Sequence, residues 1–297
     1  MTEPVRRRLW LLRPGTWRAL RWSLAAVLTV LLVLDVAFPP PLPTQRDTST
    51  LVVAIDGTPL RAFADSEGVW RYPADVDTVS PLYLQALLGY EDRWFWRHPG
   101  VNPWAMLRAG GQWIRHGRIV SGGSTLTMQV ARILDPHRRT PWGKARQLLR
   151  ALQLELHLEK REILALYLQR APYGGTIEGV EAASWAYLGK PAVRLSHAEA
   201  ALLAVLPQAP SRLRPDRHPE AAQVARDKVL ARMQQLGVWS ADDVADARIE
   251  AVVARSLQPP LHAALLAQRL HAAQPRAARI TSTVDSGLQR TLEERVS

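Results

Sequence analysis

The sequence predicts a mainly α-helical protein, preceded by one membrane-spanning helix and a small β-hairpin. Three observations carry that prediction. From Ser80 onward the chain is punctuated by helix-start signals, namely Ser80-Pro81, Asn102-Pro103 and the capping box Ser196-His197-Ala198-Glu199. Trp22 to Leu34 is an uncharged, largely apolar run. Leu51 to Ile55 and Val69 to Tyr72 read as short strands around the turn signals Asp56-Gly57 and Glu67-Gly68, which places a β-hairpin over 51–75.

The apolar run extends from Ala19 to Phe38 when Asp35 sits at the outer interface, about the 20 residues that a spanning helix requires. Arg6, Arg7, Arg8, Arg13, Arg18 and Arg21 come before its centre, against the single acid Glu3. By the positive-inside rule residues 1–18 form a cytoplasmic tail, 19–38 a single-pass anchor, and everything after Pro39 is exported. A cleavable signal peptide shares the basic and apolar parts of this pattern. Its cut site would be Asp35-Val36-Ala37, an acid where small residues are wanted, so an uncleaved anchor is the expectation. Residues 39–50 begin with a proline-rich, polar stretch and read as a stiff spacer.

The 297-residue chain has no cysteine, which removes disulfides and thiolate metal sites from consideration. Its net charge of +11 raises the question of nucleic acid. Much of that charge belongs to the arginines flanking the anchor, most of the rest is scattered, and an exported chain meets no DNA. Nucleic acid is therefore not an expected partner, and anionic lipid headgroups and diphosphates are.

Ser80 to His98 is the stretch around which the remainder is organised. Leu84, Leu87, Leu88 and Glu91 fall at i, i+3, i+4 and i+7, which sets a carboxylate in line with an apolar stripe. Partial desolvation and the negative end of the helix would raise its pKa, as suits a general base working near neutral pH. The plain alternative is that Glu91-Asp92-Arg93 is a solvated charge cluster closing a helix.

Asn102-Pro103 opens a helix to about Arg115. There Trp94, Trp96, Trp104, Met106 and Trp113 are interleaved with Arg93, Arg97, Arg108, Arg115 and Arg118, as in a surface resting among headgroups or a Trp-rich core with solvated arginines. Ser121 to Gln129 is a glycine turn opening a helix at Ser124 or Thr125. Free N–H groups there would welcome a phosphate oxygen, with Arg132 nearby, although such a turn is often only a cap. Trp142 to Leu158 is a helix with Leu148, Leu152 and Leu156 on its buried face, and Lys144 and Gln147, at i and i+3, can enter one pocket. Helices follow at Lys160 to Gln169 and Ala198 to Leu206. After about Arg255 periodicity fades, and Ile280 to Ser297 reads as the start of something that breaks off, so 256–297 is expected to be a linker and the beginning of a further domain.

Together and in this order the motifs resemble the family 51 peptidoglycan glycosyltransferases. The first motif corresponds to Glu91-Asp92-Arg93 with Phe95, His98 and Gly100, and the second to Gly123 through Gln129. Lys144 to Glu155, Ile163 to Leu168, and Glu199 through Pro210 correspond to the third, fourth and fifth. The resemblance covers roughly Val76 to Val253 and is strongest with a subgroup whose members continue into a penicillin-binding transpeptidase. No Ser-x-x-Lys or Lys-Thr-Gly of such a domain is present.

The resemblance implies a lysozyme-like glycosyltransferase domain over 76–255 with a mobile, membrane-proximal lobe, facing the periplasm from the bacterial inner membrane. It implies polymerisation of lipid II onto a lipid-linked glycan strand, with inversion, a β-1,4 bond and release of undecaprenyl diphosphate. Other cell-wall synthases would be its partners. Glu91 would be the base, and Asp92, Phe95, His98, Ser124, Thr125, Gln129, Arg132, Lys144 and Gln147 would serve the substrate. No organic cofactor is implied, and Mg2+ or Mn2+ can assist members of the family; no metal-ligand spacing marks a site.

Three departures stand out. Gln147 occupies the place of a frequent second glutamate, Gly143 and Gln208 occupy places of lysine or arginine, and Asn102 that of an aspartate. Arg146 could compensate for one lost cation, and Gln147→Glu would keep or raise the rate. Two alternatives remain: a glycan hydrolase using Glu91 as a protonated acid, and a non-catalytic, membrane-anchored lipid II-binding assembly factor that lost turnover through Gln147.

Overall fold

The computed structural model describes residues 14–43, 49–65, 68–116, 123–252 and 262–296. The chain divides into two compact units, Met1–Pro41 and Leu42–Ser297.

The first unit contains helix α1, Pro14–Ala37. Trp22, Val30, Leu32, Val33 and Val36 on it are exposed. Among the described residues no helix is long and apolar enough to cross a membrane. The expected cytoplasmic tail lies outside the described residues up to position 13.

The second unit is built around α8, His197–Val205, in which Ala198 and every residue from Ala200 to Val205 are buried. A helix apolar on all sides must be enclosed on all sides. Its neighbours are α2 (Pro81–Glu91), α7 (Val180–Leu188), α9 (Pro219–Gln235) and α10 (Ala241–Ile249). The Ser196 hydroxyl accepts from the Glu199 N–H while the Glu199 carboxylate accepts from the Ser196 N–H, so the predicted capping box is formed. A second helical layer consists of α4 (Leu126–Leu134), α5 (Pro141–His157) and α6 (Lys160–Arg170), and α3 covers Pro103–His116.

Two faces differ from the periodic expectation. On α2 the buried positions are Tyr83, Ala86 and Leu87, with Leu84, Leu88 and Glu91 half-buried along the edge of that face. On α5 the buried face is Gly143, Gln147, Ala151 and Leu154, whereas Leu156 is 72% exposed. The buried face is thus rotated from the expected leucine stripe onto small and amide side chains, with Leu148 and Leu152 half-buried.

The β-structure forms two small sheets. Strand β1 (Thr50–Val53) pairs antiparallel with β2 (Pro59–Phe63), turning through Asp56 and Gly57; Gly57 has φ +83°, and the Asp56 carboxylate accepts from the Thr58 N–H at 3.0 Å. This is the hairpin, and the expected second strand belongs elsewhere. Strand β3 (Trp70–Arg71) lies parallel to β5 (Ile177–Glu178), which pairs antiparallel with β4 (Pro172–Gly174). Arg71 is drawn there by Glu178, its Nε donating at 2.7 Å.

The C-terminal segment also differs from expectation. Helix α11 (Ala264–Ala273), strand β6 (Arg279–Thr281) and α12 (Ser286–Val296) follow position 261, and β6 runs parallel to β1 on the side opposite β2. Val52, Ala267 and Ile280 form a small core of their own. Only Ala267 of α11 is buried, so its sequence carries little helical periodicity.

Candidate active site

Helix α2 delivers Glu91 at its last turn. Pro81 fixes the first turn, while the Ser80 side chain makes no capping bond and reaches the Leu195 carbonyl instead. The Glu91 carboxylate is held on both oxygens: Gln129 Nε2 of α4 donates to Oε2 at 2.7 Å, and Gln208 Nε2 donates to Oε1 at 2.6 Å. Gln208 ends the 3-10 turn Leu206–Gln208 that follows α8. Burial pushes the Glu91 carboxyl above the ordinary glutamate range; the two amide donors oppose that rise and Asp92 adds to it. Glu91 is therefore an inward-facing base candidate and not part of a solvated cluster.

Asp92, Phe95 and His98 are buried. Asp92 accepts the backbone N–H of Leu126 at 2.8 Å and receives His98 Nε2 on both oxygens, at 2.9 and 3.0 Å. A carboxylate from the first motif thus caps the helix of the second. Lys160, at the start of α6, lies 4.6 Å from the Phe95 ring centroid and donates to the His98 carbonyl and to Glu155, both at 2.7 Å. Thr127 donates to the same Glu155 oxygen at 2.7 Å. Gly100, with φ +78°, leaves no room for a side chain, since a Cβ would stand 2.8 Å from the Ala151 carbonyl and from Glu155.

The cationic end lies across α4. Lys144 Nζ donates to Ser124 at 2.7 Å and to Gln147 Oε1 at 3.1 Å, as their i, i+3 spacing anticipates. Gln147 in turn donates to the Met128 carbonyl at 2.5 Å. Desolvation lowers the Lys144 pKa, and the neighbouring charge of Arg132 lowers it further. Arg132 is half-buried and makes no hydrogen bond or ion pair among the described residues.

The N-terminus of α4 is less available to an anion than its glycine turn suggests. The Leu126 N–H is given to Asp92, and the Met128 N–H to the Thr125 hydroxyl at 3.1 Å. Thr125 also donates to the Gly100 carbonyl, so its hydroxyl acts as a cap within the protein. Ser121 and Gly122 lie outside the described residues.

The departures at 143 and 208, and the expected compensation by Arg146, can be set against the structure. A Cβ on Gly143 would lie 2.2 Å from the Arg138 carbonyl and 2.8 Å from the His137 ring, so the loop between α4 and α5 occupies the space of any side chain there. Arg146 does not substitute for a missing cation. It is engaged by Asp135 at 2.8 and 2.7 Å, beside Arg150 at 2.9 Å. Gln208 has become a direct partner of Glu91. Glu155 and Lys160 are contributors whose roles the motifs did not indicate, because they meet His98 and Thr127 from a distant part of the chain, and the bond of Gln208 to Glu91 was equally unmarked.

Among the described residues no group of three or more His, Asp or Glu side chains is placed to hold a metal ion. Glu91 already has two amide donors, and Gln147 stands where a second carboxylate would be. This donor set does not fit a protein-built Mg2+ or Mn2+ cage.

A mainly helical domain that aims a desolvated carboxylate and a desolvated lysine across one short helix has the attributes of a group-transfer enzyme. The transglycosylase family model matches residues 56–234. This chain belongs to that family. It is 59% identical over 255 residues to penicillin-binding protein 1C of Escherichia coli (strain K12), covering 86% of this chain and 33% of that protein. It is 42% identical over 168 residues to penicillin-binding protein 1A of Aquifex aeolicus (strain VF5), covering 56% of this chain and 23% of that protein. A crystal structure of penicillin-binding protein 1A from Haemophilus influenzae aligns with TM-score 0.41 at 19% identity, covering 84% of this chain and 29% of that one. The chain spans about a third or less of the length of these curated relatives.

Proposed function

We propose that the chain is a peptidoglycan glycosyltransferase that polymerises lipid II. The observation that carries this reading is Glu91, desolvated and held on both oxygens at the edge of the site by Gln129 of α4 and by Gln208, with Lys144 bonded to Ser124 just before the same helix. In the proposed reaction the GlcNAc 4-hydroxyl of the acceptor gives its proton to Glu91 as its oxygen bonds to the anomeric carbon of the donor. The bond from that carbon to the diphosphate oxygen breaks on the opposite face, and its electron pair leaves with undecaprenyl diphosphate. The result is a β-1,4 linkage with inversion.

A raised carboxyl pKa makes Glu91 a stronger base. Lys144, Arg132 and Ser124 are suited to the diphosphate, on which negative charge grows as the bond breaks. Gln129 and Gln147 orient the two ends. Asp92, Phe95, His98 and Thr125 act from beneath, by fixing the start of α4.

We further propose the domain plan read from the sequence: an anchor over 19–38, a spacer over 39–50, the hairpin over 51–75 and the catalytic domain over 76–255, with 256–297 leading into a further domain. The catalytic face would meet the periplasmic side of the inner membrane. Trp94, Trp96 and Trp104 are exposed by 45%, 50% and 80%, and Arg97 stacks on Trp94 at 4.9 Å, a combination suited to headgroups. Other cell-wall synthases are the proposed protein partners.

The assembly-factor reading keeps one specific support, the replacement of a second carboxylate by Gln147. Polymerisation of labelled lipid II by detergent-solubilised protein, with and without moenomycin and beside Glu91→Gln, separates the two. Polymer that disappears with the inhibitor and falls at least about 10²-fold in the variant is expected. Folded, lipid II-bound protein that makes no polymer would establish the assembly role.

A further inference from the structure

We infer that Gln208 is a positioning residue for the reaction: from the turn after α8 its amide fixes the Glu91 carboxylate from the open side of the site, as Gln129 does from the closed side. The inference rests on the catalytic reading of Glu91 and adds to it a second holder from a different part of the chain.

Three observations carry it. First, the two amides divide the carboxylate between them, Gln208 taking Oε1 at 2.6 Å and Gln129 taking Oε2 at 2.7 Å, so neither duplicates the other. Second, their settings differ. Gln129 is half-buried on α4, whereas Gln208 is exposed, so Oε1 is the oxygen nearer solvent and an arriving hydroxyl. Third, Gln208 closes the 3-10 turn that begins at the fully buried Leu206, so its backbone is anchored by the core while its side chain reaches the open side.

The chemistry requires such a restraint. A glutamate at the last residue of a helix has three side-chain torsions to fix, and a base must hold its lone pair within hydrogen-bond reach of the proton it removes. An amide N–H steadies a carboxylate without adding a charge. A lysine or arginine at 208 would also steady it, but would favour the ionised form and weaken the base. The charged group acting on Glu91 is Asp92 beside it, and Glu91 in turn adds to the rise that burial gives the phenols of Tyr83, Tyr90 and Tyr167. No cation is among these groups, so the charge at 208 is free to set the titration.

The experiment uses the full chain in detergent, with 13C-labelled glutamate side chains. Glu91 is assigned by the signal missing in Glu91→Gln, and its titration is followed in the parent protein, Gln208→Leu and Gln208→Lys. We expect the midpoint to rise in Gln208→Leu, which loses a donor to the ionised form, and to fall by about one pH unit or more in Gln208→Lys. The acidic limb of the polymerisation profile should move the same way, with kcat falling in Gln208→Leu by about 10-fold and KM for lipid II little changed. Midpoints unmoved in both variants, or moved in the same direction, would overturn the inference. Because the titration needs no turnover, it decides the role of Gln208 even if the chain makes no polymer, and absence of polymer counts only against the catalytic reading.

Discussion

The Glu91 end and the Lys144 end of the site are built on one plan with opposite charge. Each sets an ionisable group in partly dry surroundings on its own helix, and each surrounds it with neutral hydrogen-bonding groups in place of a counter-ion. Glu91 receives N–H from Gln129 and Gln208, and Lys144 gives N–H to Ser124 and Gln147. Helix α4 lies between them, presenting the Gln129 side chain to one and the Met128 carbonyl, through Gln147, to the other. Desolvation therefore moves each group towards its uncharged form, upward for the acid and downward for the base. The difference lies in what supports them. The Glu91 end rests on a buried carboxylate, Asp92, whereas the Lys144 end rests on close backbone packing at Gly143.

The largest expected effect breaks the first support. Asp92→Ala strands the Leu126 N–H and His98 Nε2 in the interior, and should lower unfolding stability by roughly 3 kcal/mol, as for removal of one member of a buried polar pair. Denaturant unfolding measures it, and a cost near zero would show that α4 does not depend on this cap. Gly143→Lys tests the other support. The side chain must displace the Arg138 carbonyl, and overpacking of this kind costs roughly 1–3 kcal/mol. A stable variant with stronger diphosphate binding would instead show that the loop yields and that glycine is there by history.

Gln147→Glu sharpens the comparison, and the bond from Gln147 to Met128 argues for a loss where the sequence suggested a rate kept or raised. A carboxylate could still accept from Lys144 but would face the Met128 carbonyl, 2.5 Å from the present amide nitrogen, with no donor to offer. A stability loss of about 1–3 kcal/mol, measured by denaturant unfolding, and a lower polymerisation rate are expected. A rate equal to or above the parent would mean that α4 shifts to accommodate the charge.

Glu91→Gln should act more mildly on stability. A carboxyl raised above its unfolded value of about 4.3 binds its proton more tightly in the folded state. Stability at this site is thus greatest below the unfolded value and falls as pH rises towards the folded one. Removing the charge should leave the variant relatively more stable at pH 7 than at pH 4 in thermal unfolding, and a gap independent of pH would contradict the assignment. Smallest of all is Arg146→Ala, below about 1 kcal/mol in denaturant unfolding, because the pair is half-exposed and Arg150 still holds Asp135.

Local order was legible in the sequence wherever a short-range cause set it. The start of α2 at Ser80-Pro81, the cap of α4 and the capping box of α8, the Asp56-Gly57 turn and the pairing of Lys144 with Gln147 all depend on residues within about one helical turn of each other. So does the desolvation of Glu91, since it adjoins the apolar face of its own helix. Tertiary structure decided which groups meet across the chain. Strand β3 joins β5 instead of the hairpin, β6 returns beside β1, Asp92 caps a helix 34 residues later, and Gln208 reaches Glu91 from 117 residues away. The physical reason is that a cap, a turn or a periodic face is fixed by the energy of neighbours along the chain. The polar partners of a buried group are fixed only when packing brings them within about 3 Å, and no spacing in the sequence records that distance.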